Sequence, residues 1–296
     1  MVELIQTQHP STAAQKAFDG LVAIEEQKQA LLTNLELLFD QDRLTRWQRQ
    51  FHPSGLTVLE HVQMSSPLII LSGEVGCGKT ALANAIGTPL VQRLGGKRVI
   101  TLETPSNIRG NGMVGELSSR VSAAFKTAKA KVPKDAIGLL IIDEADDLAT
   151  SRAQNQAHHE DRAGLNVLIK EIDQLVREKH KLVVLLITNR INVLDPAVRR
   201  RTSLHLNFER PTGERLKQVF EYLFANIEHD SEQLTNLIRR TQQRKVPFSF
   251  SDLLQRALRQ AILEAIQNEQ PLSVPIYSTV LETMEPSPML EEATIH

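Results

Sequence analysis

Eight consecutive residues, Gly73-Glu74-Val75-Gly76-Cys77-Gly78-Lys79-Thr80, combine three glycines with an adjacent cation and hydroxyl. They follow the apolar run Pro67-Leu68-Ile69-Ile70-Leu71, so the pattern is a strand that ends in a glycine-rich turn and opens into a helix. Such a turn aims backbone N–H groups at one spot, and the helix adds its positive end. Together they make a seat for phosphate. The expected binding set is Gly73, Val75, Gly76, Cys77, Gly78, Lys79, Thr80 and Ala81, with Lys79 reaching the outer phosphates of a nucleotide. Thr80 would offer its hydroxyl to a magnesium ion bridging them. Cys77 is the one cysteine of the chain. It reads either as a small side chain at a tight turn or as a thiol whose alkylation blocks nucleotide binding.

About sixty residues further on, the apolar run Gly138-Leu139-Leu140-Ile141-Ile142 ends in Asp143-Glu144, as a buried parallel strand does when it delivers acids to the carboxyl edge of a sheet. Asp143 is placed to hold the magnesium with Thr80, and Glu144 to orient the attacking water and accept its proton. A third apolar run, Leu182 to Ile187, ends in Thr188-Asn189-Arg190. Asn189 there either bonds a water or the terminal phosphate, or simply forms the turn. Arg199-Arg200-Arg201 taken alone is a solvated basic face. The cluster His158-His159-Glu160-Asp161 is declined as a metal site, because adjacent histidines on a helix point to different faces.

These groups need a frame, and apolar strands alternating with helices supply one. Further strands are expected at 98–102 and 203–208, and helices over Ala81–Leu94, around Val121–Ala128 and along Leu165–Leu175. The loop Asn107–Glu116, rich in Gly and Asn, exposes Met113 and Val114 unless they fold back on the core. Ahead of the first strand, Leu21 to Leu44 reads as a long helix or helix pair, broken at Phe51–Gly55, where His52 is an exposed loop histidine. From Pro211 the chain turns wholly helical, with three apolar faces at Leu216–Phe224, Leu234–Ile238 and Leu253–Ala265. The expected divisions are an arm over 1–17, a nucleotide-binding α/β domain over 18–209, a small all-helical domain over 210–282 and a frayed tail over 283–296.

With 296 residues, 41% of them hydrophobic, the chain can bury a large core. Its 34 basic residues nearly balance 35 acidic ones, and aromatic residues make up 4%, which argues against a nucleic-acid reader. One cysteine excludes an internal disulfide framework. The opening residues lack the pattern of a secretory signal, and no apolar run approaches the roughly 20 residues of a membrane span. The expected location is therefore the cytoplasm.

From Phe18 to about Ile266 the chain resembles the AAA+ ATPases. The residues that carry the likeness are Phe18-Asp19-Gly20-Leu21, the loop Gly73–Thr80, the strand Leu139–Glu144, Thr188-Asn189-Arg190, and Leu194-Asp195-Pro196-Ala197-Val198-Arg199-Arg200-Arg201. The resemblance implies an α/β module with a parallel five-stranded phosphate-loop sheet between helices, followed by a helical lid. The strand bearing Asn189 would lie between those bearing the phosphate loop and Asp143. It further implies that Gly20 and Leu21 line the adenine pocket, that Glu144 and Asn189 act on the terminal phosphate of ATP with magnesium, and that an arginine is lent by a neighbouring subunit. Arg200 aligns best for that finger and Arg201 second. An active site shared in this way implies a homo-oligomer, typically a hexamer. Met113-Val114-Gly115 stands where related unfoldases carry a pore loop, although those have an aromatic residue in place of Met113.

Within that superfamily, Arg162–Leu175 and the compact lid look most like the pachytene-checkpoint remodelers and their bacterial relatives. Those relatives disassemble or open HORMA-domain proteins alongside nucleotide-signalling antiviral systems. The resemblance thus implies ATP-driven remodeling of a HORMA-domain partner, with a nucleic-acid loader as the alternative. Arg256, on the helix after Ser249-Phe250-Ser251-Asp252, is the candidate for a second sensor arginine in the lid.

Overall fold

The computed structural model describes residues 2–59, 65–105, 115–147 and 159–290. The chain divides into two compact units. One comprises Met1–Asp19, Glu26–Ser72 and Thr80–Asn207, the other Gly20–Glu25, Gly73–Lys79 and Phe208–His296. Among the described residues no helix is long and apolar enough to cross a membrane.

The first unit is built on a sheet of six strands, β1 (Ile5–His9), β2 (Leu68–Gly73), β3 (Arg98–Glu103), β4 (Ala136–Ile142), β5 (Leu182–Thr188) and β6 (Leu204–Phe208), in the order β1-β3-β4-β5-β2-β6. β3 with β4, β4 with β5 and β5 with β2 are parallel. All seven residues of β4 and of β5 are buried, which is why these strands read as unbroken apolar runs. Alternate residues, Leu140, Ile142, Val184 and Leu186 among them, join Val121, Phe125, Leu168 and Ile172 of helices Glu116–Lys131 and His159–Glu178 in one hydrophobic core. Those two helices approach closely at Gly164, where a β-carbon would lie 2.6 Å from Leu117. Ser122 and Lys129 on the first also bond Glu171 on the second, at 3.1 and 3.2 Å.

The strand order carries the five expected strands, with β5 between β4 and β2, and adds a sixth. β1 pairs antiparallel with β3, Thr7 opposite Thr101, within a stretch that reads as a polar arm. Its sequence, Ile-Gln-Thr-Gln-His, buries only His9, so it offers no hydrophobic alternation to detect. The expected helix over Ala81–Leu94 is two short helices, Lys79–Ala85 and Gly87–Arg93. Pro89 has no N–H to give the carbonyl of Ala85, and the ladder breaks there.

The second unit carries helices Gly213–Phe224, Ser231–Gln242, Leu258–Gln267 and Val274–Thr283, and a π-helical turn over Asp252–Ala257. The helix expected from Ser251 thus opens in a wider turn, and a fourth helix follows the three read from the sequence. Tyr277 packs edge-on against Phe220 and Phe224, with ring centroids 6.0 and 5.5 Å away, and its hydroxyl donates to the carbonyl of Leu253 at 2.9 Å. Burial raises the Tyr277 pKa, so the phenol stays a donor.

His9 fixes the amino-terminal strand. It is 5% exposed, with Nδ1 2.9 Å from the Thr88 hydroxyl and Nε2 3.2 Å from that of Thr101. Burial lowers its pKa from the ordinary 6.5, so the folded chain keeps the imidazole neutral while the unfolded chain protonates near 6.5. The unfolded state then binds more protons, and stability falls as pH drops through 6.5 toward the folded value. Between pH 7.5 and 5, the thermal midpoint should fall by about 2–4 °C more in the wild type than in His9→Gln. Parallel curves for the two proteins would remove His9 from that role.

Candidate functional site

Parallel pairing brings the carboxyl ends of β4, β5 and β2 to one edge, with Ile142 opposite Leu186 and Ser72 opposite Thr188. Just beyond that edge the Thr80 hydroxyl donates to Asp143 Oδ2 at 2.6 Å. The other Asp143 oxygen accepts the backbone N–H of Glu144 at 2.8 Å. Glu144 is exposed and has a φ of 54°, a left-handed backbone that a residue with a β-carbon adopts at a cost of about 1–3 kcal/mol. Two residues later Asp146, on the single helical turn Ala145–Asp147, accepts a hydrogen bond from the Thr188 hydroxyl. Thr188 in turn accepts the Arg190 N–H at 3.0 Å. Glu144 is thus pinned between two anchored aspartates, one tied to Thr80 and one to the end of β5. Asn189, the next residue on β5's exit, is half-buried at the same edge.

The arginine run is not uniform. Asp195 caps the short helix Pro196–Arg199 by accepting the Ala197 N–H at 2.7 Å. Arg201 is committed within the chain: Nε and Nη2 donate to the two oxygens of Asp173 at 2.7 and 3.0 Å, and Nη1 donates to the Ala197 carbonyl at 2.9 Å. The Asp173 bonds raise its pKa further. Arg199 and Arg200 are exposed.

In the second unit the loop Gly73–Lys79 explains its own glycines. Gly73, Gly76 and Gly78 have φ of 120, 72 and 92°, all in the region that glycine enters freely. At Gly76 space matters as well, since a β-carbon would lie 2.9 Å from Ser251 Cβ and 3.0 Å from Ser249 Oγ. The Gly76 carbonyl accepts the Ser251 N–H at 3.0 Å. Lys79 is buried, and its ammonium donates to the carbonyls of Gly73 and Glu74 at 2.7 and 2.8 Å. A β-carbon at Gly78 would sit 3.6 Å from Leu21, so the Gly20-Leu21 segment lies against the loop. Val75 is exposed at the loop's tip and Cys77 is buried beneath it. Ala81 is exposed on the helix that follows.

Gly115 has φ 80° and stands immediately before the helix Glu116–Lys131. Met113 and Val114 lie outside the described residues, as does His158. Arg256 is held by Asp252, four residues back, and by the Ser287 hydroxyl at 3.1 Å. Sequence reasoning missed Glu74 and Arg210, which form a close ion pair, Nη2 to Oε2 3.0 Å. A carboxylate among the glycines of this tight loop is the signal that a cation had to be sought nearby.

Residues 69–210 match the family described as "ATPase family associated with various cellular activities (AAA)". Over 294 residues the chain is 36% identical to CD-NTase-associated protein 6 of Escherichia coli strain MS 115-1, across 94% of this chain and 93% of that protein. Its fold is similar to a chain of the E. coli MS115-1 HORMA:CdnC:Trip13 complex, with a TM-score of 0.89 and 34% identity over 97% of this chain and 98% of that one. It is also similar to Rhizobiales Trip13, with a TM-score of 0.76 and 27% identity over 97% and 100% of the two chains.

The buried thiol generates a prediction. Burial pushes Cys77 up to about 11, outweighing the Phe250 backbone hydrogen bond and the charges of Lys79 and Arg210. At pH 7.5 only about one thiol in three thousand is then ionised. Iodoacetamide should label Cys77 at least about a hundredfold more slowly than a free thiol until the chain is unfolded. Rapid labelling of the native protein, followed by mass spectrometry, would contradict this.

Proposed function

The chain belongs to the AAA family of ATPases, and from that premise we propose that it assembles into a ring that spends ATP on remodeling a folded HORMA-domain protein. The hydrogen bond between Thr80 and Asp143 carries the reading. A hydroxyl and a carboxylate 2.6 Å apart are the oxygen donors that a hard divalent cation takes, so magnesium fits there and would screen the charge of the phosphates. The loop Gly73–Lys79 holds the phosphates with its N–H groups and Lys79, and Gly20 and Leu21 take the adenine. Glu144 receives a proton from water as the water oxygen bonds to the γ-phosphorus and the bond to the β,γ-bridging oxygen breaks. Asn189 fixes the terminal phosphate from the neighbouring strand. Both the left-handed backbone of Glu144 and its two anchored neighbours support this role, since strain persists where surrounding bonds enforce it.

Arg200 is the finger offered to the next subunit. Its exposure supports that choice over Arg201, whose guanidinium is engaged by Asp173. A site completed across a subunit boundary calls for a ring, and a hexamer is the form we propose. Residues 18–209 would make the large domain of each subunit and 210–282 its lid. Met113, Val114 and Gly115 would face the pore and grip the substrate. The HORMA-domain partner and an antiviral setting rest on the likeness to CD-NTase-associated protein 6 and to the complex that holds HORMA and CdnC, and the location we propose is the cytoplasm.

Glu144→Gln should bind ATP yet hydrolyse it at least about a hundredfold more slowly. With ATP it should retain a HORMA-domain protein in a pull-down read by mass spectrometry. Turnover at the wild-type rate would take the acid away from Glu144, and a trap that never holds such a protein would sink the partner. Lys79→Ala and Arg200→Ala subunits, each inactive alone, should regain part of the ATPase rate when mixed. No gain at any ratio counts against Arg200.

A further inference from the structure

The second residue of the phosphate loop, Glu74, has the wrong charge for a polyphosphate, and the second unit contains its counterweight. Arg210 is 4% exposed, so its guanidinium has little water to lean on. Nε donates to Glu74 Oε2 at 3.0 Å, Nη1 to the carbonyls of Pro247 and Ser287 at 2.7 and 2.8 Å, and Nη2 to the carbonyl of Pro288 at 2.6 Å. The second Glu74 oxygen accepts the N–H of Leu290 at 3.3 Å. The Glu74 backbone is fixed too, its N–H donating to Phe208 at 2.9 Å and its carbonyl accepting Lys79 at 2.8 Å.

The carboxyl-terminal residues that touch this pair are anchored in their own right. The Ser287 hydroxyl and N–H donate to the two oxygens of Asp252 at 2.6 and 3.1 Å. Asp252 is fully buried, and burial alone would raise its pKa. The bonds from Ser287, Ser249 and Arg256 outweigh that and hold it at about 2, so it stays charged and keeps accepting. Ser249 also bounds the space at Gly76, so the loop leans on this cluster at two points. A stretch that reads as a frayed tail is therefore a strap across the loop's first turn.

We propose that Arg210 and the strap Ser287–Leu290 are positioning elements for the phosphate loop. They neutralise and immobilise Glu74, and so make nucleotide affinity depend on the carboxyl-terminal segment. The inference rests on Gly73–Thr80 being the nucleotide seat. A carboxylate freed of Arg210 would repel the phosphates and could swing the loop out of shape.

The test compares four proteins: the full chain, Arg210→Met, the double variant Arg210→Met with Glu74→Gln, and a chain ending at Pro286. ADP binding is titrated with a fluorescent analogue, and KM and kcat for ATP are measured together. Arg210→Met should raise Kd and KM at least about tenfold with kcat changed less than about threefold, and the added Glu74→Gln should recover most of the loss. The chain ending at Pro286 should lose about three- to tenfold in affinity. A general structural role for Arg210 would leave the double variant as weak as the single one, or weaker, and that result overturns the proposal. So does a truncated chain that binds ADP like the full one, which decides the matter even if Arg210→Met does not fold. A full chain that binds no ADP at all, with Lys79→Ala indistinguishable from it, would overturn the nucleotide seat and this inference together.

Discussion

Burial on both faces of β4 and β5 is the constraint from which the site follows. A strand walled in on either side has no place for a carboxylate or hydroxyl along its length, because an unpaired polar group there costs several kcal/mol, on the order of 2–7. Polar chemistry is thereby pushed to the strand ends, and parallel pairing puts those ends at one edge. Thr188 and Ser72 end their strands there in register, Asp143 follows the last residue of β4, and the helix beginning at Lys79 supplies Thr80 to meet Asp143. The same apolar walls keep these groups at fixed separations, since close-packed side chains leave a strand no room to slide.

What the sequence made legible follows from the same logic. Glycines at fixed spacing, and apolar runs that stop at acids, are local patterns with one physical meaning each, so the loop and the acidic strand could be read directly, whereas the place of β5 between β4 and β2 came from the resemblance to the AAA+ ATPases. β1 could not, because four of its five residues are exposed and its stability comes from pairing with β3 and from His9. The widened turn at Asp252 was equally hidden, for a single turn with one extra residue leaves the apolar spacing almost unchanged. Arg210 and the strap lie far from Glu74 in sequence, and nothing in a Pro-rich, acidic stretch announces that its carbonyls will face a buried guanidinium. Exposure and pairing separated Arg200 from Arg201, which adjacent positions in a run of identical residues do not.

The two units achieve order by different means. In the sheet unit position is set mainly by apolar packing, with polar bonds added at the carboxyl edge, at His9 and between the two helices that meet at Gly164. In the helical unit a buried charge network does more of the work: Asp252, Arg210 and Glu74 are each satisfied by several partners. Such networks are weak sources of net stability, but they are unforgiving of misalignment, because every lost bond exposes a charge to an apolar surrounding. The loop Gly73–Lys79 therefore has its glycine-determined backbone shape and, separately, a set of charged and backbone partners bonded to Glu74.

β1 has a consequence beyond holding the amino terminus. Without it the sheet would end at β3, whose buried Val99, Ile100 and Leu102 would then line an open row of backbone donors and acceptors. An apolar edge of that kind is a template on which strands of other molecules add and precipitate. Five residues of polar, short and mostly exposed strand close it off, and the new edge they present is too polar to recruit further strands. The amino-terminal segment thus protects the protein's colloidal behaviour by keeping the apolar strand β3 away from strands of other molecules.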